Sequence, residues 1–175
     1  MNYGTIYTLP FRSRKGDSCL VEIQKEDYTG QVTELTGSGE APFSIEIADD
    51  DFLYVPVRFS TATIRVVGTD YLQSLYSTGY RQYRVIFKRS GIVMWCGFIK
   101  PELYTQDYSG TIFELEIECI SAMSVLEYID YKTKNEAEKG FVTLWELLTR
   151  CVSESRGSYS NVYIPHVYAK DKSNY

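Results

Sequence analysis

Histidine is nearly missing from this sequence. His166 is the single one among 175 residues, so no two-histidine metal site can form. A Ser-His-Asp or Cys-His apparatus would hang on one ring beside Pro165, near the end of the chain. The residue reads instead as a surface or packing histidine. The four cysteines, Cys19, Cys96, Cys119 and Cys151, lie far apart, and the close Cys-x-x-Cys pairs of zinc sites and redox centres are missing. Each sits in an apolar pattern, so four buried, reduced thiols are expected. The sequence also lacks a Gly-x-x-x-x-Gly-Lys-Ser/Thr loop, a Gly-x-Gly-x-x-Gly turn between strand and helix, and a Gly-x-Ser-x-Gly elbow. Nucleotide and hydrolase readings lose their main support, and no cofactor, metal or catalytic set is expected.

Positive charge is in deficit: 18 Lys and Arg stand against 23 Asp and Glu, a formal charge of −5. No field collects phosphates, and nucleic acid is not an expected partner. No run approaches the roughly 18 apolar residues of a membrane span. The opening Met1-Asn2-Tyr3-Gly4 lacks the basic and apolar regions of a secretory signal, and the chain reads as made in the cytoplasm and soluble. The acidic run Asp49-Asp50-Asp51 has the wrong spacing for a calcium loop, because Phe52 and Leu53 follow at once; it reads as a solvated turn.

What the chain has is sheet-forming side chains. Val, Ile, Thr, Tyr, Phe and Trp total 66 against 18 Ala plus Leu, so strands should dominate. Tyr3 to Leu9 alternates, Arg12 to Asp17 reads as a turn, and Cys19 to Gln24 is the return strand of a hairpin. Gln31 to Thr36 is a further strand and Gly37 to Glu40 a loop. After Pro42, Phe43, Ile45 and Ile47 share the core face of a half-buried strand. Val57 to Val67 is extended. Asp70 caps a short helical turn carrying Tyr71, Leu72, Leu75 and Tyr76, which Gly79 ends. Tyr83, Val85 and Phe87 alternate, Ser90-Gly91 makes a tight turn, and Ile92 to Ile99 returns. In Thr111 to Ile120 the apolar set Phe113, Leu115, Ile117 and Cys119 opposes Glu114, Glu116 and Glu118. Those carboxylates read as a solvated face that discourages edge aggregation, not as a catalytic group.

A brief helical piece capped by Ser121 and carrying Met123, Val125 and Leu126 follows, and a polar connector spans 132–140. Beyond it Thr143 caps a helix with Glu146 as capping-box partner, and Leu144, Leu147, Leu148, Cys151 and Val152 form its stripe. The fold expected is mainly β, a β-sandwich or barrel-like, mostly antiparallel arrangement with one or two short helices and a C-terminal amphipathic helix. The division is a β-rich domain over 1–131, the connector over 132–140, and the start of a second, incomplete unit over 141–175. That helix must either belong to a longer protein or fold back onto the first sheet. Sixteen tyrosines suit interfaces and sugar-stacking platforms alike. Tyr104 and Tyr108, in the loop Pro101 to Gly110, are the candidate interface residues.

One arrangement resembles a known group. Tyr3-Gly4-Thr5-Ile6-Tyr7, then Val21-Glu22-Ile23 with Lys25 to Gly30, then the block Trp95-Cys96-Gly97-Phe98-Ile99-Lys100-Pro101-Glu102-Leu103-Tyr104, is similar to the N-terminal part of phage and prophage tail proteins. The later order of Phe113-Glu114-Leu115 strand, Leu126 segment and Leu144 to Cys151 helix fits the same group, so the resemblance covers most of residues 3 to 152. It implies a tail-tip or baseplate hub component, or the related distal-tail ring, whose sheet domains close the end of the tail tube by ring assembly. It carries no catalytic motif. Implied partners are copies of itself and other tail or baseplate proteins, in the virion tail and, during assembly, in the host cytoplasm. Such proteins are several times longer, so the chain would correspond to an N-terminal part. In that role the outward glutamates and Pro42 would oppose premature edge pairing. From a different class, a carbohydrate-binding or adhesin-like β module would use Tyr104 and Tyr108 as its stacking platform. A carboxylate-dependent glycan hydrolase has no positive support.

Overall fold

The computed structural model describes residues 2–39, 41–47, 59–68, 72–101, 112–130 and 142–158, apart from the side chains of Gln73 and Phe113. The chain is mainly β, as expected: one nearly closed, largely antiparallel sheet and, among the described residues, one α-helix. Its strands are β1 (Tyr3–Arg12), β2 (Ser18–Glu26), β3 (Thr33–Glu34), β4 (Thr36–Gly37), β5 (Phe43–Ile47), β6 (Ser60–Gly68), β7 (Tyr83–Arg89), β8 (Ile92–Ile99) and β9 (Phe113–Ser121), followed by helix α1 (Leu144–Glu154). Their order is β3-β1-β2-β7-β8-β9-β6-β4, and β5 also pairs with β6.

The two strongest hairpins form where alternation and turn residues coincide. β1 and β2 pair from Tyr3↔Glu26 to Arg12↔Ser18. β7 and β8 are joined by Ser90 and Gly91, both in the left-handed region at φ 49° and 81°, the backbone that lets a two-residue turn follow the strand twist. Each of the two pairings carries one bulge. Ile6 is the extra residue between Thr5↔Gln24 and Tyr7↔Ile23, and Met94 the extra one between Phe87↔Trp95 and Lys88↔Val93. Bulges increase local twist and bend a sheet towards closure.

The expected strand Gln31 to Thr36 is shorter and divided. Thr33 and Glu34 run parallel to β1, whereas Thr36 and Gly37 run antiparallel to β6. The Leu35 N–H donates to the Thr8 carbonyl at 2.7 Å, and the Ser38 N–H to the Arg65 carbonyl at 3.0 Å. Residues 33–38 therefore bond both edges of the sheet. A regular strand cannot form there because the pairing partner changes after Leu35.

The interior is filled by Leu9, Val21, Ile23, Ile64, Val66, Tyr83, Val85, Ile99, Leu115, Ile117 and Cys119. One end is plugged by the 3-10 turn Gln73–Leu75, with Leu72 and Leu75 buried. The Tyr7 hydroxyl bonds Ser74 Oγ at 2.8 Å, and the Tyr83 hydroxyl donates to the Ser74 carbonyl. Gly79 does not end this turn; it lies four residues further on, in the separate bend before β7. Asp70 and Tyr71 lie outside the described residues. The other end holds aromatic rings: Phe43 lies 4.8 Å from Phe87 and 5.8 Å from Trp95, centroid to centroid. The Trp95 indole N–H donates to Ser60 Oγ at 2.9 Å.

Two expectations about the strands change. Phe43 is buried, but Ile45 and Ile47 are exposed, because β5 runs outwards past the aromatic end and leaves the core after one residue. β9 alternates as expected, with Leu115, Ile117 and Cys119 inside, but it is no edge: it pairs with β8 and β6. Its glutamates are each matched across the surface. Glu114 accepts from the Ser38 hydroxyl, Glu116 pairs with Arg65 at 2.6 Å and Glu118 with Lys100 at 2.8 Å. Ser121 stands two residues before the position that caps the 3-10 turn Ser124–Tyr128, which is Met123. Ser121 Oγ still accepts from the Ser124 N–H at 3.4 Å. The connector 132–140 lies outside the described residues.

Two predictions test this packing. A Cβ at Gly97 would run into the Ile120 carbonyl oxygen and the Trp95 ring, whereas at Gly79 it meets nothing. Gly97→Ala is expected to lower stability by about 1–3 kcal/mol and Gly79→Ala by less than about 0.5 kcal/mol, read from urea midpoints. Asp17 receives two bonds from Arg89, at 2.9 Å from Nε and 2.5 Å from Nη2. The side-chain bond to Arg89 holds the Asp17 carboxyl below the usual carboxylate value. A depressed carboxylate stabilises the fold above its unfolded pKa, and that contribution disappears as pH falls through the folded value. As pH falls from the usual carboxylate value to the lowered folded value, the unfolding midpoint should therefore fall less steeply for Asp17→Asn than for wild type, and the two should run parallel above that window.

Candidate functional site

Outside the barrel, a second apolar layer covers β7, β8 and β9. Ile86, Cys96, Phe98 and Ile120 point away from the interior and are roofed by Ala122 and Val125, with Tyr3, Tyr80 and Ile129 packed at the margin. The Tyr80 and Tyr128 rings stack with centroids 3.9 Å apart and planes 10° from parallel. Proximity to the Tyr80 phenol is the main cause that holds the Tyr128 hydroxyl above its ordinary pKa. Beside this roof lies a cleft of about 960 Å³ bounded by the bend 78–82, by residues 125–130 and by α1.

Helix α1 starts where the sequence says it should. The Thr143 hydroxyl accepts from the Glu146 N–H at 3.2 Å, and Glu146 Oε2 accepts from the Thr143 N–H at 3.0 Å. This reciprocal pair satisfies two donors of the first turn. The apolar positions Leu144, Trp145, Leu147, Leu148, Cys151 and Val152 span an arc of about 160° at 100° per residue. Only one margin of that arc, Leu147 and Cys151, lines the cleft. Leu144 and Trp145 are 71% and 55% exposed, and none of the helix residues is buried.

The end of α1 is held differently. Ser155 is fully buried. Arg81 Nη1 donates to the Glu154 carbonyl at 3.1 Å and pairs with the Glu154 carboxylate at 3.3 Å. Arg84 Nη1 donates to the Arg156 carbonyl at 3.4 Å, and Arg156 pairs with Glu26 at 3.3 Å. Arg81 answers a carbonyl that the last helical turn leaves without an intrahelical partner, and Arg84 holds the backbone two residues beyond the helix. Arg84 is itself fixed: its Nε and Nη2 donate to Gln24 Oε1 at 2.9 and 2.7 Å, and its guanidinium lies 4.3 Å from the centre of the Tyr3 ring. Gln24 passes the chain on to Glu22 at 3.0 Å, which pairs with Lys88 at 2.5 Å.

Chemically the cleft offers apolar walls, two stacked phenols and arginine–carboxylate pairs. Among the described residues, no three His, Cys, Asp or Glu side chains gather in a metal-ligating group, and no helix is long and apolar enough to cross a membrane. Tyr104 and Tyr108 lie outside the described residues, as do His166 and Asp49 to Asp51. Sequence reasoning found the stripe of α1 but missed the cleft, which depends on Tyr80, Tyr128, Arg81 and Arg156. These are separated along the chain and follow no local pattern. No family model, no curated protein and no solved structure matches the chain.

The thiols separate by position. Cys19, Cys96 and Cys119 are buried, and Cys151 is half-buried at the cleft, which corrects the expectation of four buried thiols. Cys151 lies on a helix of which no residue is fully buried, so its thiol stays within reach of solvent. Burial pushes the Cys96 and Cys119 thiols up, and a thiol held protonated is a poor nucleophile. Alkylation of the folded protein by iodoacetamide, mapped by peptide mass spectrometry, is expected at Cys151 first. The other three should react only after unfolding.

Proposed function

We propose that the protein is a structural assembly module of a phage or prophage tail, tail-tip or baseplate hub-like, which works through contacts with copies of itself and companion tail proteins and turns over no substrate. The observation that carries this reading is α1. It is a well-capped helix with an apolar arc of about 160°, of which only Leu147 and Cys151 face the molecule's own cleft. Leu144 and Leu148 lie along the middle of the arc and Trp145 on its opposite margin, and all three are exposed. Exposed apolar side chains grouped on one rigid element are the usual mark of a protein contact. A nearly closed sheet supports the role from a second side, since a sheet with few open edges joins neighbours through defined patches and not through unlimited strand addition. The resemblance in residues 3 to 152 supplies the identity of the assembly.

The test measures oligomeric state and companionship together. Sedimentation of the wild-type chain is expected to show concentration-dependent association, and Leu144→Asp with Trp145→Asp to reduce it at least ten-fold, since about 1.4 kcal/mol is one decade of affinity. The reading also expects the flanking reading frames to encode tail proteins and the chain to co-sediment with them. A chain that stays monomeric, binds no neighbouring gene product and instead takes up a glycan with saturable heat would replace this reading with the carbohydrate-binding one.

A further inference from the structure

We propose that the outer edge of β5 is a self-pairing site: two copies of the chain join antiparallel along Phe43 to Ile47, about a two-fold axis at Ile45. The site is a different surface from α1, and the inference holds whichever assembly the chain serves.

The register inside the sheet decides which backbone groups of β5 are left over. Antiparallel neighbours exchange hydrogen bonds at every second pair. Pro42 gives its carbonyl to the Arg65 N–H at 2.8 Å. From there Phe43 stands opposite Ile64, Ile45 opposite Ala62 and Ile47 opposite Ser60, with no bulge. The positions bonded to β6 are therefore Pro42, Ser44 and Glu46. Phe43, Ile45 and Ile47 turn their N–H and C=O groups the other way, and among the described residues nothing pairs with that side. Ile45 and Ile47 are 38% and 55% exposed, so solvent reaches the edge. An open edge with apolar side chains is a template for a further strand.

The edge of β1 shows the contrast. It runs on past its pairing with β3, from Leu9 to Arg12. The Thr8 carbonyl accepts from Leu35 on that side, so Thr8, Pro10 and Arg12 face outwards there. Pro10 has no N–H to offer and Arg12 is charged and exposed, so this edge is blunted. On β5 the neighbouring proline, Pro42, faces β6 instead. The outer side of β5 carries no such block.

The occupant follows from the same register. A second β5 turned about Ile45 sets Ile45 against Ile45 and Phe43 against Ile47. Every outward residue then meets an outward residue of the other copy, with about six N–H to C=O bonds, two at each bonded pair. Between them Ser44 faces Glu46 of the second copy at the closely spaced, unbonded pairs. Ser44 Oγ already accepts from Arg65 Nη1 at 3.2 Å, so each carboxylate arrives beside a guanidinium of the other copy. An axis moved to Glu46 would set two carboxylates face to face, and one moved to Ser44 would leave Ile47 without a partner. The charges and the bonds select the same axis. A two-fold pair uses up both edges and stops there.

The experiment uses the full chain with Cys151→Ser, which removes the half-buried thiol. In a thiol–disulfide exchange buffer Ile45→Cys should form a linked dimer, because a bonded antiparallel pair holds its Cα atoms about 5.5 Å apart, within disulfide reach. Ile47→Cys should link at least roughly ten-fold more slowly, since the two copies of position 47 stand about 13 Å apart in this register. Self-association is read by sedimentation in the chain that also carries Leu144→Asp and Trp145→Asp, so that α1 does not contribute. Ile45→Pro removes an outward N–H and no bond to β6, and Ile45→Lys sets like charges across the axis. Each should weaken that residual association at least roughly ten-fold, with circular dichroism and a cooperative urea transition showing the sheet retained. The α1 substitutions should leave linking at position 45 unchanged, which separates a failure here from a failure of the α1 reading. Self-pairing is overturned if Ile45→Cys stays monomeric, if positions 45 and 47 link at equal rates, or if Ile45→Pro and Ile45→Lys associate like their parent. It is equally overturned if Ile45→Cys links to a companion tail protein in the mixture and not to itself, which would give the edge a different occupant.

Discussion

The structure depends on one short stretch of backbone that belongs to two strands at once. Residues 33–38 bond β1 on one side and β6 on the other, and no other described segment links those two edges. A sheet of this composition with both edges open would present rows of unpaired N–H and C=O groups, each able to template aggregation. Here one parallel and one antiparallel pairing meet in five residues. The change of direction is tight: a Cβ on Gly37 would come within 2.7 Å of the Pro42 ring, so only glycine lets the strand pass that close. Pro42 in turn offers its carbonyl to the Arg65 N–H at 2.8 Å, which starts the β5–β6 pairing on the same stretch of edge. A proline at that point costs nothing, because the bond it makes needs an acceptor alone.

Closure decides where the charges go. With the interior sealed by a tyrosine-bonded turn at one end and by Phe43, Phe87 and Trp95 at the other, outward positions that the second apolar layer leaves uncovered face solvent, and several of them carry pairs: Arg65 with Glu116, Lys100 with Glu118, Lys88 with Glu22. Part-exposed pairs contribute about 0–1 kcal/mol each, far less than the interior leucines and isoleucines, at about 1.5–3 kcal/mol for each buried side chain. Their contribution is to register. Arg65 stands directly opposite Glu116, and a slip of one residue would set the arginine against an apolar neighbour and turn the core face to water. The bound sides of β9 likewise explain why three glutamates on one strand do not repel it out of the sheet: each finds a donor on a different neighbouring segment.

Legibility in the sequence follows the range of the interaction. β9, the β7–β8 hairpin and the capping box of α1 could be read because each is fixed within about a dozen residues: alternation sets a face, Ser90-Gly91 sets a turn, Thr143 and Glu146 satisfy one another. The strand expected over Gln31 to Thr36 came out divided because its fate is decided by Thr8 and Arg65, which no local pattern contains. Ile45 and Ile47 alternate like core residues and are not, since where β5 leaves the barrel depends on the aromatic cluster it passes. The cleft was illegible for the same reason. Arg81, Arg84 and Arg156 look like ordinary surface charges until the fold sets them around one helix end, and the tyrosines that mattered there were Tyr80 and Tyr128, placed by bends and not by strands.

Helix α1 draws these threads together. An isolated helix of 11 residues is marginal in water, and most helices in proteins are held by an apolar face packed into a core. α1 has the face, but no residue of it is fully buried. Among the described residues its two ends are held by polar bonds: a capping box at the start, and arginines at and just beyond the last turn. Polar ends fix where a helix begins and stops and do not by themselves cover its apolar side. The apolar arc is thus kept in order without being used up inside the molecule, and this is the arrangement in which a soluble chain can carry a preformed hydrophobic surface. The net charge of −5 gives copies of the chain a mutual repulsion that opposes indiscriminate contact through such a surface. The proposed association through this arc would require a neighbour whose shape and apolar area outweigh that repulsion, so the net charge would bear on which neighbour fits.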